Sequence, residues 1–136
     1  MTDYLYEFTI NIYEGDLARL FEQTAWAAKR SPAAIRALLT NTPVCLCVWD
    51  GARLIGFGRA VTDDVFRALI EDVVVDKDYR QQGIGAEIMR RLLERLDHVE
   101  EILLNCEDHL IPFYERLGFQ RTGMTYMNIW KGDSPS

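Results

Sequence analysis

Three apolar, β-prone runs follow one another at 44–49, 53–62 and 66–75, parted by Asp50-Gly51 and Asp63-Asp64. Short polar breaks of this kind favour tight reversals, so the segment predicts an antiparallel meander. Such a sheet needs cover on its faces, and the flanking sequence supplies it. Ahead of the meander, Tyr6, Phe8, Ile10 and Ile12 alternate with polar residues, the period of a first strand with one buried face. Leu17, Leu20, Phe21, Thr24 and Ala25 then recur at helical spacing, and Ser31-Pro32 opens a second helix carrying Ile35, Leu38 and Leu39. After the meander, Ile84, Ile88, Met89, Leu92, Leu93 and Leu96 share one side of a helix expected over 85–96, with Arg90, Arg91, Glu94 and Arg95 on the other. The remainder predicts a strand at 102–106, a short helix at 110–117 closed by Gly118, strands at 119–122 and 126–130, and a frayed end at 132–136. The order β α α β β β α β α β β describes an α/β (α+β) fold with a mixed, mostly antiparallel central sheet flanked by helices.

A chain of 136 residues accommodates one core, so residues 1–136 are expected to form a single domain. Its 15 Lys and Arg against 21 Asp and Glu leave a formal charge of −6, which repels phosphate backbones and points away from nucleic acid toward small-molecule partners. Cys45, Cys47 and Cys106 are odd in number and lack paired metal-ligand spacing, so neither a disulfide framework nor a metal site is suggested. A reducing compartment is expected. With no apolar stretch of signal or membrane length, the protein is read as cytoplasmic, with no membrane partner.

Chemistry concentrates at Val73-Val74-Val75, the following Asp76-Lys77-Asp78-Tyr79, and Arg80-Gln81-Gln82-Gly83-Ile84-Gly85-Ala86. A buried strand, a short loop and a glycine-bearing helix start form an anion cradle. Gly83 and Gly85 let the backbone approach a ligand, and the free N–H groups of the first helical turn carry the positive end of the dipole. A pyrophosphate fits such a place, with Lys77 and Arg80 adding charge. A lone Gly-x-Gly would mark no more than a tight loop, but context reverses those odds. A dinucleotide-binding crossover is the rival, with Glu107 as its ribose acid. It is opposed by the missing third glycine, by the residues between strand and glycine loop, and by the short chain left after Glu107.

The Arg80-x-x-Gly-x-Gly pattern after an apolar strand, followed by Phe113-Tyr114-Glu115-Arg116-Leu117-Gly118-Phe119, resembles the GNAT superfamily of acetyl-CoA-dependent N-acetyltransferases. The resemblance spans nearly the whole chain. It implies that the Gln81 to Ala86 backbone holds the pyrophosphate of acetyl-CoA, a cosubstrate used without a metal. Val73, Val74 and Val75 would offer main-chain groups to the pantetheine arm, and a strand N–H would polarise the acetyl carbonyl. It also implies that the strand of Val73 splays from the strand of Leu104 to open a slot. Tyr114 matches the tyrosine that protonates the departing thiolate, and a phenol with a reference pKa of about 10 suits that task. Asn105 would orient Tyr114, the coenzyme or the substrate, with strand capping equally open.

Glu71 and Asp72 interrupt an apolar run, which is costly for carboxylates unless they are paired or used. Glu71 is the candidate base for the acceptor ammonium, sharing the face of Val73 and Val75 in a regular strand; a bulge would exchange it with Asp72. Pairing with Arg59 or Arg67 is the structural alternative. His98, His109, Cys45 and Cys47 read as structural or surface residues. Trp26, Trp49 and Trp130 read as core, although Trp26 lies where the superfamily shapes its acceptor pocket.

The chain is therefore expected to move an acetyl group to the primary amine of a small molecule by direct attack in a ternary complex. Protein lysine or amino-terminal acetylation, and a silent acyl-CoA-sensing module, are the alternatives. Ile70 to Val75 with Leu104-Asn105-Cys106 is similar to glucosamine-6-phosphate acetyltransferases, although the sequence shows no basic cluster for a sugar phosphate. Leu54 to Ala60 and Met127 to Trp130 are similar to plastid-type aromatic-amine acetyltransferases. Dimers through the last strands are frequent in similar proteins, which places a homodimer among the expectations.

Overall fold

A computed structural model describes residues 3–132; of the fraying expected at 132–136, all but Gly132 lies outside them. The chain divides into two compact units, one up to Leu104 and one from Asn105 onward.

The first unit runs β1 (Leu5–Phe8), α1 (Glu14–Phe21), α2 (Pro32–Asn41), β2 (Val44–Asp50), β3 (Arg53–Thr62), β4 (Arg67–Val75), a 3-10 turn (Lys77–Tyr79), α3 (Ile84–Arg95) and β5 (Glu101–Leu103). The five strands form one sheet in the order β1-β2-β3-β4-β5. Its pairs are antiparallel until β5, which lies parallel to β4 after the α3 crossover.

The polar breaks act through identifiable chemistry. Gly51, at φ +58, turns β2 into β3. At the next reversal Asp63 accepts the N–H groups of Val65, Phe66 and Arg67, while Asp64 takes φ +67. Pro32 sits in the first turn of α2 and the Ser31 hydroxyl accepts the Ala34 N–H.

One face of the sheet is covered by Leu17, Leu20 and Phe21 of α1 and Ile35 and Leu39 of α2, packed on Cys45, Cys47, Phe57 and Val74. Each such side chain contributes about 1.5–3 kcal/mol when fully buried. The other face is covered by α3. A Cβ on Gly58 would fall 2.8 Å from Ile88 and 3.2 Å from Leu92, so α3 rests against bare β3 backbone.

β1 is shorter than its alternation suggests. Phe8 and Ile10 are exposed because β1 is an edge strand that α1 and α2 do not cover; Ile12 reaches the core from the following loop. Trp49 packs beside the core, but Trp26 and Trp130 are 53% and 67% exposed, contrary to their reading as core residues. Trp26 lies in the link between α1 and α2, against Phe21 and under the Arg30 guanidinium.

The second unit holds a 3-10 turn (Asp108–Leu110) and α4 (Ile111–Glu115). Gly118, at φ +101, follows as expected for a helix stop. The strand expected at 102–106 ends at Leu103, and the strands expected at 119–122 and 126–130 do not form among the described residues. Apolar alternation makes a strand only where a ladder partner satisfies the backbone. Here Met124, Tyr126, Met127, Ile129 and Trp130 remain exposed.

Candidate active site

β4 is paired to β3 along most of its length, but to β5 only through Arg67↔Glu101, Ala68↔Ile102 and Leu69↔Leu103. Past Leu69 its other edge has no strand beside it among the described residues. β5 ends at Leu103, so within the first unit the main-chain groups along 70–75 are left without a ladder on that side.

The β3 ladder is also broken there. Phe57 opposes Val74 and Arg59 opposes Glu71, so Gly58 faces two residues, Asp72 and Val73. This is a β-bulge, and Asp72 occupies it at φ +56, a left-handed conformation that aspartate tolerates better than most residues.

The bulge corrects the expected facing of the carboxylates. Val73 packs at Gly58 beneath α3, and Val75 lies near Gly85, whereas Glu71 stands opposite Arg59 on the α1/α2 side. Asp72 does not take Glu71's place beside Val73. It is buried on the Arg59 side, accepting from Arg59 Nε at 2.6 Å and Arg30 Nη1 at 2.9 Å. Arg67 pairs instead with Glu100 and Glu101. Asp72 is thus committed to two guanidiniums, while the half-buried Glu71 has no ion pair among the described residues. Burial, then the Asp72 charge, push the Glu71 pKa above its ordinary value of 4.5 against the opposing pull of Arg59 and Arg30.

The loop after β4 is clasped from several sides. Asp76 is fully buried at the strand end, accepts the Asp78 N–H at 2.9 Å and pairs with Arg53 at 3.1 Å and Arg19 at 3.6 Å. Burial alone would raise its pKa, but the Asp78 N–H, Arg53 and Gln23 outweigh it and hold the carboxyl below its ordinary range. Gln23 accepts the Lys77 N–H, Tyr79 donates to Asp50, and Tyr4 donates to the Gln82 side chain. These braces, absent from the sequence reading, fix the approach to α3.

Gln81 and Gly83 both take positive φ, at +65 and +81, a pattern that turns successive N–H groups into a concavity. Gly83 is the N-cap of α3 and offers no side-chain acceptor, leaving the N–H groups of Ile84, Gly85 and Ala86 for a ligand. A Cβ on Gly83 would meet no atom within 4 Å, while the Ile84 side chain is buried. Arg80 Nε donates to the Val75 carbonyl at 3.2 Å, which anchors this cation at the end of the open edge. Val74 is engaged in the core, leaving only its backbone available.

In the second unit, Phe113 and Phe119 meet the Tyr114 ring edge-on at 5.0 and 6.0 Å. Burial, then Cys106, raise the phenol pKa above 10.0, so it is protonated at neutral pH. Asn105 is exposed. Burial pushes the Cys45 thiol up to about 11 and Cys47 up to about 12, which excludes both as thiolates near neutrality. Among the described residues no three His, Cys, Asp or Glu side chains are placed to hold a metal.

Residues 6–119 match the Acetyltransferase (GNAT) family. The chain is 34% identical over 116 residues to the uncharacterized N-acetyltransferase ycf52 of Porphyra purpurea, an alignment covering 81% of this chain and 65% of that protein. It is 38% identical over 95 residues to GCN5-related N-acetyltransferase 1, chloroplastic, of Arabidopsis thaliana, covering 67% of this chain and 48% of the relative. The match thus spans about half to two thirds of these longer proteins. Among solved structures, a Deinococcus radiodurans R1 protein superposes with a TM-score of 0.82 at 29% identity, covering 93% of this chain and 89% of that one. Glucosamine-6-phosphate N-acetyltransferase from Arabidopsis thaliana shares the fold, with a TM-score of 0.75 at 15% identity over 96% of this chain and all of that one. With the family pattern spanning β1 to Phe119 and the open β4 edge leading into an uncapped helix, this chain belongs to the GNAT acetyltransferase family.

Proposed function

We propose that the protein transfers the acetyl group of acetyl-CoA to the primary amine of a small molecule by direct attack in a ternary complex. The observation that carries this reading is the open edge of β4 running into the uncapped start of α3. Backbone N–H groups of residues 81–86 grip the diphosphate with Arg80 beside them, Val73 and Val75 pair with the pantetheine amides, and Asn105 orients the reacting groups. Acetyl-CoA brings the activated thioester.

A primary amine with a pKa near 10.4 loses its proton at a cost of roughly 4–5 kcal/mol at pH 7. Glu71 accepts that proton, directly or through a water, and its raised pKa suits a base. Asp72, held by two arginines, positions rather than reacts. The freed nitrogen forms the new C–N bond, a strand N–H at the bulge stabilises the oxyanion, and Tyr114 gives its proton to the thiolate as the C–S bond breaks. The exposed apolar segment 124–130 suits pairing with a second copy as a homodimer, and buried reduced cysteines suit the cytoplasm.

The test is thiol release from acetyl-CoA across a panel of amines. Turnover with small amines supports the reading; acetyl-CoA binding without thiol release for any amine or peptide overturns it in favour of a sensing module. Tyr114→Phe lowers turnover far more than coenzyme affinity, and equal losses in both would remove the acid role.

A further inference from the structure

The bulge that commits Asp72 to two arginines also sets those arginines at the wall of a cavity. Arg30 and Arg59 line a cavity of about 490 Å³ in the first unit, together with Ala37, Leu38, Asn41 and Thr42. Two guanidiniums share the Asp72 carboxylate and Arg59 faces Glu71, so the four groups balance while Glu71 is ionised and gain one positive charge when it takes a proton.

Both cations are held in place before any ligand arrives. Arg59 uses Nε on Asp72 and Nη1 on the Thr42 hydroxyl at 3.3 Å. Arg30 uses Nη1 on Asp72 and lies over the rings of Phe21 at 5.0 Å and Trp26 at 5.8 Å. Each retains an Nη2 group with no hydrogen bond among the described residues. The side chains are 31% and 16% exposed, so part of each is open to a ligand. Preorganised, partly desolvated guanidiniums bind planar or tetrahedral oxyanions through charge-assisted pairs.

Position completes the argument. Arg59 stands directly opposite Glu71 in the ladder, so an anion on Arg59 and Arg30 lies beside the group that takes the amine's proton. As Glu71 becomes protonated during attack, the local charge turns more positive, and a nearby substrate anion offsets it.

We infer that the acetyl acceptor is an amine that also carries a carboxylate or phosphate, and that Arg30 and Arg59 in this cavity bind that anion. The inference rests on the acetyltransferase reading for its choice of ligand, but its binding arm does not depend on turnover.

The test uses matched pairs: phenylalanine with phenylethylamine for the carboxylate, and phosphoethanolamine with ethanolamine for the phosphate. Binding to protein saturated with CoA is measured by calorimetry, and kcat/KM by thiol release. The anionic member of at least one pair binds about tenfold or more tightly than its neutral partner, and which pair responds identifies the anion. Arg30→Gln shrinks that ratio toward unity. Ala37→Glu, an exposed helical position at the cavity, does the same by placing a competing carboxylate beside the two guanidiniums while leaving Arg30, Arg59 and Asp72 in place. Equal binding of both members in both pairs, or a ratio unmoved by both substitutions, overturns the inference while leaving acetyl transfer standing. Selective binding of the anionic amine with no thiol release from it overturns the assignment of that anion to the acceptor and leaves the anion site; acetyl transfer itself falls only if no amine or peptide releases thiol. Failure of every amine to bind overturns the inference.

Discussion

Two buried aspartates bracket the open half of β4, and each is held by two arginines, yet they do different work. Asp76, at the α3 end, also accepts the Asp78 N–H, and its own N–H donates to the Ile55 carbonyl at 2.8 Å. Its arginines are spent nearby, Arg19 on the Leu54 carbonyl and Arg53 over the Tyr79 ring. That clasp is a brace for backbone. Asp72, at the other end, is tied only to guanidiniums, and these border a cavity. The same pairing of charges stiffens a loop in one place and presents guanidinium donors to a cavity in the other.

The largest effect is expected at Asp72. Asn tolerates positive φ, so Asp72→Asn keeps the bulge while leaving two partly buried cations face to face. Breaking a buried pair in this way costs about 3–5 kcal/mol, read as a lower urea midpoint at unchanged slope. A loss below about 1 kcal/mol would make the cluster no more than a surface pair and erase the contrast with Asp76.

Glu71→Gln sharpens the same end chemically. It should lower kcat/KM by about 100-fold, roughly 2.7 kcal/mol, with acetyl-CoA affinity retained. Because burial raises the Glu71 pKa, its acidic limb in the pH–rate profile lies above the ordinary 4.5, and activity falls as pH drops through it. The variant should lose that limb. A limb unchanged by the substitution would assign the titration to another group.

The contrast between the two ends was only half legible in the sequence. The hairpins followed from Asp50-Gly51 and Asp63-Asp64, and α3 from its apolar spacing, because turn chemistry and periodicity are local. Gly83 and Gly85 marked the uncapped start of α3 for the same reason. At the bulge end the signal was the acidic Glu71-Asp72 pair inside an apolar run, but the strand's phase there depends on a bulge whose left-handed residue is Asp72 rather than a glycine. Arg30 and Arg59 lie far apart in the chain and meet only through Asp72, so their basic cluster had no sequence pattern. The alternation at 126–130 misled because a strand's existence is decided by its partner.

Asp76→Asn should cost less than Asp72→Asn, about 1–3 kcal/mol, because Arg19 and Arg53 are well exposed and water rehydrates them. The Asp76 pKa is depressed in the folded protein. Its stabilisation is therefore present above the ordinary carboxyl value of about 3.8 and is lost as pH falls through the lower folded value. The variant should flatten that part of the acid-unfolding curve and weaken acetyl-CoA about tenfold through a loosened loop. Unchanged affinity would separate the brace from the coenzyme.

Gly83→Ala is the smallest change and isolates the anion cradle from the backbone that forms it. At φ +81 an alanine pays about 1–2 kcal/mol for its left-handed conformation, but its Cβ meets no protein atom within 4 Å. Gly118→Ala, at φ +101 with the same empty surroundings, is the matched control in the second unit. Both variants should lose similar stability in urea. Only Gly83→Ala should also weaken acetyl-CoA beyond what that loss explains, because its methyl group stands where a diphosphate approaches the α3 N–H groups. Equal coenzyme affinity in the two variants would show that the ligand does not reach this turn.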